Sequence, residues 1–588
     1  MLSMSKKCLM VVVVAFIFVV CVGVSNNPTP YTIMIYMNGS DLESEFGLAT
    51  GDLVEMLDSG IISKNANVII FTGGAEVWQN DAIPDNECII WQLDDGWLNE
   101  IKSMGNVNMG NPNTLRDFIT FSMKNYPAQK YGLIMWNHGG GSIAGFGHDE
   151  NFSDGSLTLG DMQKAFEESG LRKQKLEFLG FDACLMASIE MAIIASDYAH
   201  VLIASEDLEP GDGWDYNFLS VLNINPNISG LNLGKVIVDT FMDFYGEDSD
   251  EILSLSVVDL SKVAPVMDAM GELMTVALNS LNSSNSLKSH INHSTLATVA
   301  DHRNPTFTDL AIRRTNTKTF GEGSPRDNYS DMVDIGDMAY QLADLFPREA
   351  ANVLRALANC VTYNRHNAIV ELHGLSTFYI YGGKSQGEPS LRIYSNLNMD
   401  QYYTKYLHQF FEHLKESQGR NIRKTELVLL KKTVTNTTAE KQIYRMAGLL
   451  QTSDAGDYLW PTLEGYHITM FPTTTTANSR LYAIPVKINE NDADIVICFT
   501  AKQPQGKILG VRHYSGKVIQ KGYFPIYQGD EIAIYSLEWN PATRQETWHL
   551  NPSFTVGDTL TLSWEVAPND YLLGYRYTDI CCNVTYSF

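Results

Sequence analysis

Between residues 31 and 204 one pattern recurs, a short apolar run rich in Ile, Val and aromatics followed by a longer stretch of helical periodicity. The runs are YTIMIYM (31–37), ANVIIFT (66–72), YGLIMW (131–136), LEFLGF (176–181) and HVLIA (200–204). The helical stretches are 43–57, 114–126, 158–170 and 185–195, with Thr158 as an N-cap. A strand apolar at every position is covered on both faces, so the alternation implies βαβ units. The expected fold is therefore α/β, a mostly parallel sheet flanked by helices. Residues 88–93 read as a hairpin strand beside it and 374–381 (GLSTFYIY) as one more strand of the same sheet. Helices dominate 231–281 and 332–363, and 402–415 reads as a closing helix.

A chain of 588 residues is too long for a single hydrophobic core. From about residue 424 the helical pattern gives way to Thr-rich, turn-punctuated alternating segments such as 481–488, 494–500 and 559–566. These predict a C-terminal all-β domain over 461–588, a sandwich or barrel, joined by a linker at 416–460 to the α/β domain at 26–415. Residues 1–25 read as an export signal: Lys6 and Lys7, an apolar run over 9–20, then Gly23 and Ser25. The protein is thus expected outside the cytoplasm: secreted, periplasmic or at the cell surface. Membrane contact would come only through a lipid on Cys21, and Phe18-Val19-Val20 lacks the small residue usual before such a cysteine.

With 68 acidic and 42 basic residues the formal charge is −26, which repels nucleic acid and suits cationic substrates. Eight cysteines without CxxC spacing form neither a zinc site nor a disulfide framework, so a free, exposed thiol is expected among them. Nothing in the sequence sets an oligomeric state.

Two of the runs end in reactive groups. YGLIMW is followed by Asn137-His138-Gly139-Gly140-Gly141, and LEFLGF by Asp182-Ala183-Cys184. Ligands of open parallel sheets sit beyond such strand ends, and a 46-residue separation fits one helical crossover between neighbouring strands. Read singly, His138 is a loop residue and Cys184 a small core hydrophobe. Read together, Cys184 opens a helix whose dipole favours thiolate, and the glycines after His138 let amides approach an oxyanion.

The strings IMIYMNGSDLE, IMWNHGGG, LGFDACLMASIEMA and ASEDLEPGDGWDY occur in the order found in the clostripain family of caspase-like cysteine peptidases, which residues 31–415 resemble. The resemblance implies a caspase-like α/β fold and endopeptidase activity on proteins or peptides with Arg or Lys at P1. It puts the nucleophile at Cys184 and the catalytic histidine at His138. The oxyanion donors fall on the backbone of Gly139 and Cys184, and the acids of the P1 pocket on Asp182 and Asp212. A carboxylate beside a thiolate is costly unless a substrate cation pairs with it, although Asp182 also reads as a helix N-cap and Asp212 as a turn residue. Glu206, Asp207 and Glu209 add negative potential or are simply solvated. Asp149, next to His148, is expected to fix a loop.

No cofactor or metal is required by this chemistry. Calcium enters through the resemblance, because some relatives are stimulated by it, yet no EF-hand spacing is present. Several relatives cut themselves at a basic residue after the His motif, whereas residues 139–163 contain none; with Lys164 inside an expected helix, self-cleavage is expected to be absent from this loop or confined to Arg172, Lys173 and Lys175. The competing reading is a non-catalytic surface protein on a peptidase scaffold, binding peptides or glycans. A serine esterase would need a GxSxG elbow, which is missing.

Overall fold

A computed structural model of the protein describes residues 28–588 apart from 154, 247–248, 250–252, 283–304, 322–329, 369, 383–385, 417–421, 432–450, 453–457, 476–478, 516–517, 520–521, 541–544, 567–570, 580–583 and 588. The export signal with Cys8 and Cys21, and the pair Cys581–Cys582, lie outside the described residues. The chain forms two compact units.

The first unit holds the described residues of 28–246, 253–264 and 359–366. Its strands are β1 (Thr29–Asn38), β2 (Ala66–Gly73), β3 (Cys88–Asp94), β4 (Trp97–Gly105), β5 (Ala128–Trp136), β6 (Phe178–Asp182), β7 (Val201–Ala204) and β8 (Ser254–Asp259). In the second unit lie β9 (Thr319–Phe320) and β10 (Met332–Asp334), before the chain returns to the first for β11 (Val361–His366). The nine strands of the first unit make a mixed sheet in the order β11-β8-β7-β6-β5-β1-β2-β3-β4. Its five central strands are parallel, and antiparallel pairs close both edges.

The apolar runs became the centre of this sheet because they are covered on both faces. All eight residues of β2 and all five of β6 are buried. Each large side chain so buried contributes about 1.5–3 kcal/mol, which offsets the ordering of the strands. Helices α1 (Ser40–Ser44), α2 (Leu48–Asp58), α3 (Pro112–Asn125), α4 (Gly141–Ala144), α5 (Leu159–Ser169), α6 (Ile189–Ser196), α7 (Val221–Ile224) and α8 (Gly230–Tyr245) connect or flank the strands. Thr158 caps α5 as expected, in a reciprocal capping box with Asp161. The stretch 43–57 is broken in two at Gly47, whose φ of +68° ends one turn and starts the next.

Three assignments differ from the sequence reading. Strands β8 and β11 begin where helices dominate the pattern; β11 forms the edge and β8 lies between it and β7, and both are short segments with helical neighbours. Residues 374–381 do not extend the main sheet: β12 (Ser376–Phe378) pairs antiparallel with β10 in a separate three-stranded sheet of the second unit. A short apolar run specifies burial but not which sheet buries it. Residues 416–460, read as a linker, include a ten-residue strand, Ile422–Lys431, paired with Tyr571–Asp579.

The second unit also contains helices Pro305–Asn316, Ile335–Leu342, Gly387–Asn396 and Gln401–Glu416. Beyond these it is strand-rich. Ser479–Ile488 and Asn491–Thr500 form an unbroken antiparallel ladder from Ser479↔Thr500 to Ile488↔Asn491. Leu562–Val566 belongs to a further, four-stranded sheet.

Candidate active site

Parallel pairing sets the heights of the strand ends. Trp136 of β5 is in register with Asp182 of β6, so His138 and Cys184, each two residues further on, leave the sheet at the same level on adjacent strands. The two turns touch. A Cβ on Gly139 would lie 1.9 Å from the Cys184 carbonyl oxygen, so only glycine lets the histidine turn approach the cysteine turn. Gly139 also faces Phe146 across an antiparallel bridge. The flanking bonds run from Gly147 N–H to His138 O (2.9 Å) and from Gly140 N–H to Gly145 O (2.8 Å). In that geometry the peptide groups of Gly139 point away from Phe146.

His138 is fully buried, and its Nε2 lies 2.9 Å from Oδ1 of Asp41, in the first turn of α1. Burial works against charge on Asp41, but the pull of His138, helped by Ser40 and His148, holds its carboxyl well below the usual carboxylate range. Asn137 fastens the histidine turn to the end of β1, donating from Nδ2 to the Asn38 carbonyl and to Ser40 Oγ. Ser142 Oγ donates to Glu190 Oε2 (2.7 Å), linking the histidine turn to α6 behind the cysteine.

Cys184 does not open a helix. The chain turns sharply after Asp182, with Leu185 in the left-handed region (φ +62°), and α6 begins only at Ile189, capped by Ser188. The N-cap reading of Asp182 falls with it, as does helix-dipole activation of the thiol. A side chain at such φ costs roughly 1–2 kcal/mol, and backbone bonds from Leu185 to Asp207 O (3.0 Å) and from Ala187 to Ser205 O (2.8 Å) maintain it. Sequence pattern favours helix here because LMASIEMA is all helix-compatible; the tertiary bonds to residues 205–207 override it.

The thiol is not exposed either. Cys184 is 0% accessible, and its Sγ accepts the Glu209 N–H at 3.2 Å. Cys88, Cys360 and Cys498 are likewise buried. Burial pushes the Cys88 thiol up to about 11 and the Cys360 thiol up to about 12, which suits inert packing residues.

On the far side of Cys184, Asp182 is fully buried, and its Oδ2 accepts the Trp214 N–H (3.2 Å) and the Tyr216 hydroxyl (3.0 Å). Gly180 makes room for the Trp214 ring, which a Cβ there would meet at 2.8 Å. Tyr216 donates its N–H to Glu55 of α2 (3.0 Å). Burial pushes the Glu55 carboxyl up to about 7, with Asp215, Asp182 and Asp212 adding repulsion. Asp212 is exposed. Glu206, Asp207 and Glu209 are buried rather than solvated. Asp149 takes bonds from Met109 N–H (2.7 Å) and Asn151 N–H (3.0 Å), the loop-fixing role expected of it.

The Clostripain family profile matches residues 35–433, spanning the histidine and cysteine turns and the acidic segment in one alignment. The chain belongs to the clostripain family. Within this family of cysteine peptidases it is similar to clostripain of Hathewaya histolytica, 34% identical over 128 residues, 19% of this chain and 24% of that protein. The match thus spans under a quarter of that relative's length. It is also similar to a secreted C11 cysteine protease from Bacteroides thetaiotaomicron solved with an irreversible peptide inhibitor (16% identity, 63% of this chain and 99% of that one, TM-score 0.45). An inactive zymogen C11 protease from Parabacteroides distasonis gives 17% identity over 65% and 99%, with the same TM-score of 0.45.

Sequence reasoning missed three members of the site: Asp41, Tyr216 and Glu55. Asp41 sits inside the family-like string NGSDLE, a signal that was present but carried no role. Glu55 falls on a helix with nothing nearby in sequence to mark it. Among the described residues no group of three His, Cys, Asp or Glu is arranged to hold a metal ion, and no helix is long and apolar enough to cross a membrane.

Proposed function

We propose that this clostripain-family member is an exported cysteine endopeptidase that cleaves after Arg or Lys, with Cys184 as nucleophile and His138 as proton-transfer partner. The observation that carries the reading is the strand register, which sends His138 and Cys184 off adjacent parallel strands at one height, with the Gly139 backbone against the Cys184 carbonyl. The Cys184 thiolate adds to the scissile carbonyl, His138 protonates the departing amine, and water then hydrolyses the thioester. The N–H groups of Gly139 and Cys184 serve the oxyanion. The acidic corner of Asp182, Glu55 and Asp212 receives the P1 cation, bidentately when it is Arg.

With sulfur and imidazole both buried, the conformation described is closed. A peptide reaches Cys184 only after the segment carrying Glu209 shifts away from the sulfur, a gating step of a common kind. Residues 26–415 would carry the activity, with 461–588 as an accessory β domain. The export signal at 1–25 would deliver the enzyme outside the cytoplasm. No cofactor enters the chemistry; calcium would act on the acidic loops, and a chelator in the assay reads that directly.

The test is cleavage of fluorogenic peptides ending in Arg or Lys under reducing conditions. Cys184→Ala and His138→Ala should each abolish turnover, and alkylation of Cys184 should be slow without substrate and faster during turnover. Cleavage after acidic or apolar residues would overturn the pocket; full activity in Cys184→Ala would overturn the mechanism.

A further inference from the structure

Three neighbouring strands end in this site, and only two of their ends have been given a task. Strand β1 lies between β2 and β5, with Met37 opposite Trp136 of β5, itself level with Asp182 of β6. Beyond β1 the chain turns through Gly39 and Ser40 into α1, which presents Asp41 to His138 Nε2 at 2.9 Å. We propose that Asp41 is a positioning residue for catalysis, holding the His138 ring in one tautomer and one orientation toward Cys184. The inference rests on the peptidase reading given above.

The turn that delivers Asp41 is held from several directions. Ser40 is in the left-handed region (φ +47°), a conformation that non-glycine residues keep only when their surroundings impose it. Asn137, adjacent in chain to His138, bonds Asn38 O and Ser40 Oγ, so one side chain ties the carboxylate turn to the imidazole turn. Glu43 is buried in the same short helix and accepts Thr50 N–H (2.8 Å), Thr50 Oγ1–H (2.6 Å) and Gln79 N–H (2.8 Å). A surface turn would need none of this.

The chemistry follows from the two ring nitrogens. A carboxylate on Nε2 keeps a proton there, so Nδ1 is the nitrogen that exchanges protons with the reacting groups. Nδ1 takes the proton of the Cys184 thiol as the sulfur–carbon bond forms. It returns that proton to the amine nitrogen as the carbon–nitrogen bond breaks and its electron pair leaves with the nitrogen. The Nε2 proton stays on the ring throughout, donated to the Asp41 carboxylate, whose negative charge stabilises the imidazolium between the two transfers. His148 also acts electrostatically on Asp41 and is the competing partner for its charge.

The experiment uses the full chain and an Arg-ended fluorogenic peptide. Asp41→Asn should lower kcat by about 10²-fold, within the range that general acid–base assistance supplies, with KM little changed. Asp41→Glu, which keeps a carboxylate, should recover part of that loss, while His148→Gln should match wild type. In 15N-histidine-labelled Cys184→Ala protein, the His138 ring should show its proton on Nε2 and lose that signature when Asp41→Asn is added. Wild-type kcat in Asp41→Asn, or an unchanged His138 signature, would overturn the inference. So would an Asp41→Asn loss reproduced by His148→Gln. Should wild type itself fail to cleave, the peptidase reading has failed, and the ring spectra still decide the Asp41–His138 pairing.

Discussion

The two flanks of Cys184 are built by different means. The histidine flank hangs on regular structure: β1, β5 and β6 are in continuous parallel register, and the turns leaving them are bonded to one another. The acidic flank hangs on an irregular segment, residues 205–216, whose contacts with the sheet run through Asp182, Gly180 and the backbone after Cys184. The difference teaches where each property resides. On the proposed reading, the bond-making groups sit in turns anchored to strand ends, where repeatability is greatest, and recognition and access fall to a loop that can move.

Changes on the histidine flank should therefore cost turnover, and changes on the acidic flank should cost binding. The largest effect belongs to Gly139→Ala. Its methyl collides with the Cys184 carbonyl, and kcat should fall by about 10²–10³-fold, the usual loss for a displaced oxyanion donor. Steady-state assays on Arg peptides would show it, alongside a lowered melting temperature from the backbone that has to shift; a variant that lost only KM would break the comparison.

Next comes Asp182→Asn. Removing a buried charge that pairs with a substrate cation typically costs 2–5 kcal/mol, so kcat/KM for Arg peptides should fall by about 30-fold or more. The rate of Cys184 alkylation should stay near wild type. Equal losses in both measurements would mean that Asp182 serves the thiol rather than the substrate.

The smallest effect sharpens the acidic flank. Burial first, then repulsion from Asp215, Asp182 and Asp212, raises Glu55 from 4.5 to about 7, so the folded protein holds this proton more tightly than the unfolded chain. The associated stability is complete below about 4.5 and is lost as pH rises through about 7. A cationic substrate prefers the ionised group, so KM for Arg peptides should fall as pH rises through the same value. Glu55→Gln should flatten both trends, by a few-fold at most in KM. Denaturant melts and KM measured across that interval would check it; unchanged pH profiles would remove Glu55 from the pocket.

Much of the site was legible in the residues because strand ends are legible. YGLIMW and LEFLGF are apolar at nearly every position, a pattern that demands burial on both faces, and the polar groups that follow have to emerge together. The 46-residue interval then made neighbouring strands the economical connection. Other features left no such trace. The helix expected from Leu185 starts four residues late because Asp207 and Ser205 compete for the backbone after Cys184. The thiol expected to be exposed is buried, and Glu206, Asp207 and Glu209, plain surface acids by composition, are buried beside it.

Hydrophobic period and strand length are properties of consecutive residues, so the chain alone determined that a central parallel sheet would form and that the turns carrying His138 and Cys184 would leave it side by side. Which side chains meet those groups depends on contacts such as Asp41 with His138, 97 positions apart, and Glu55 with Tyr216, 161 apart. Local preference carries no information about such pairs. Only the packing of the finished sheet selects them, and with them the closure over the sulfur.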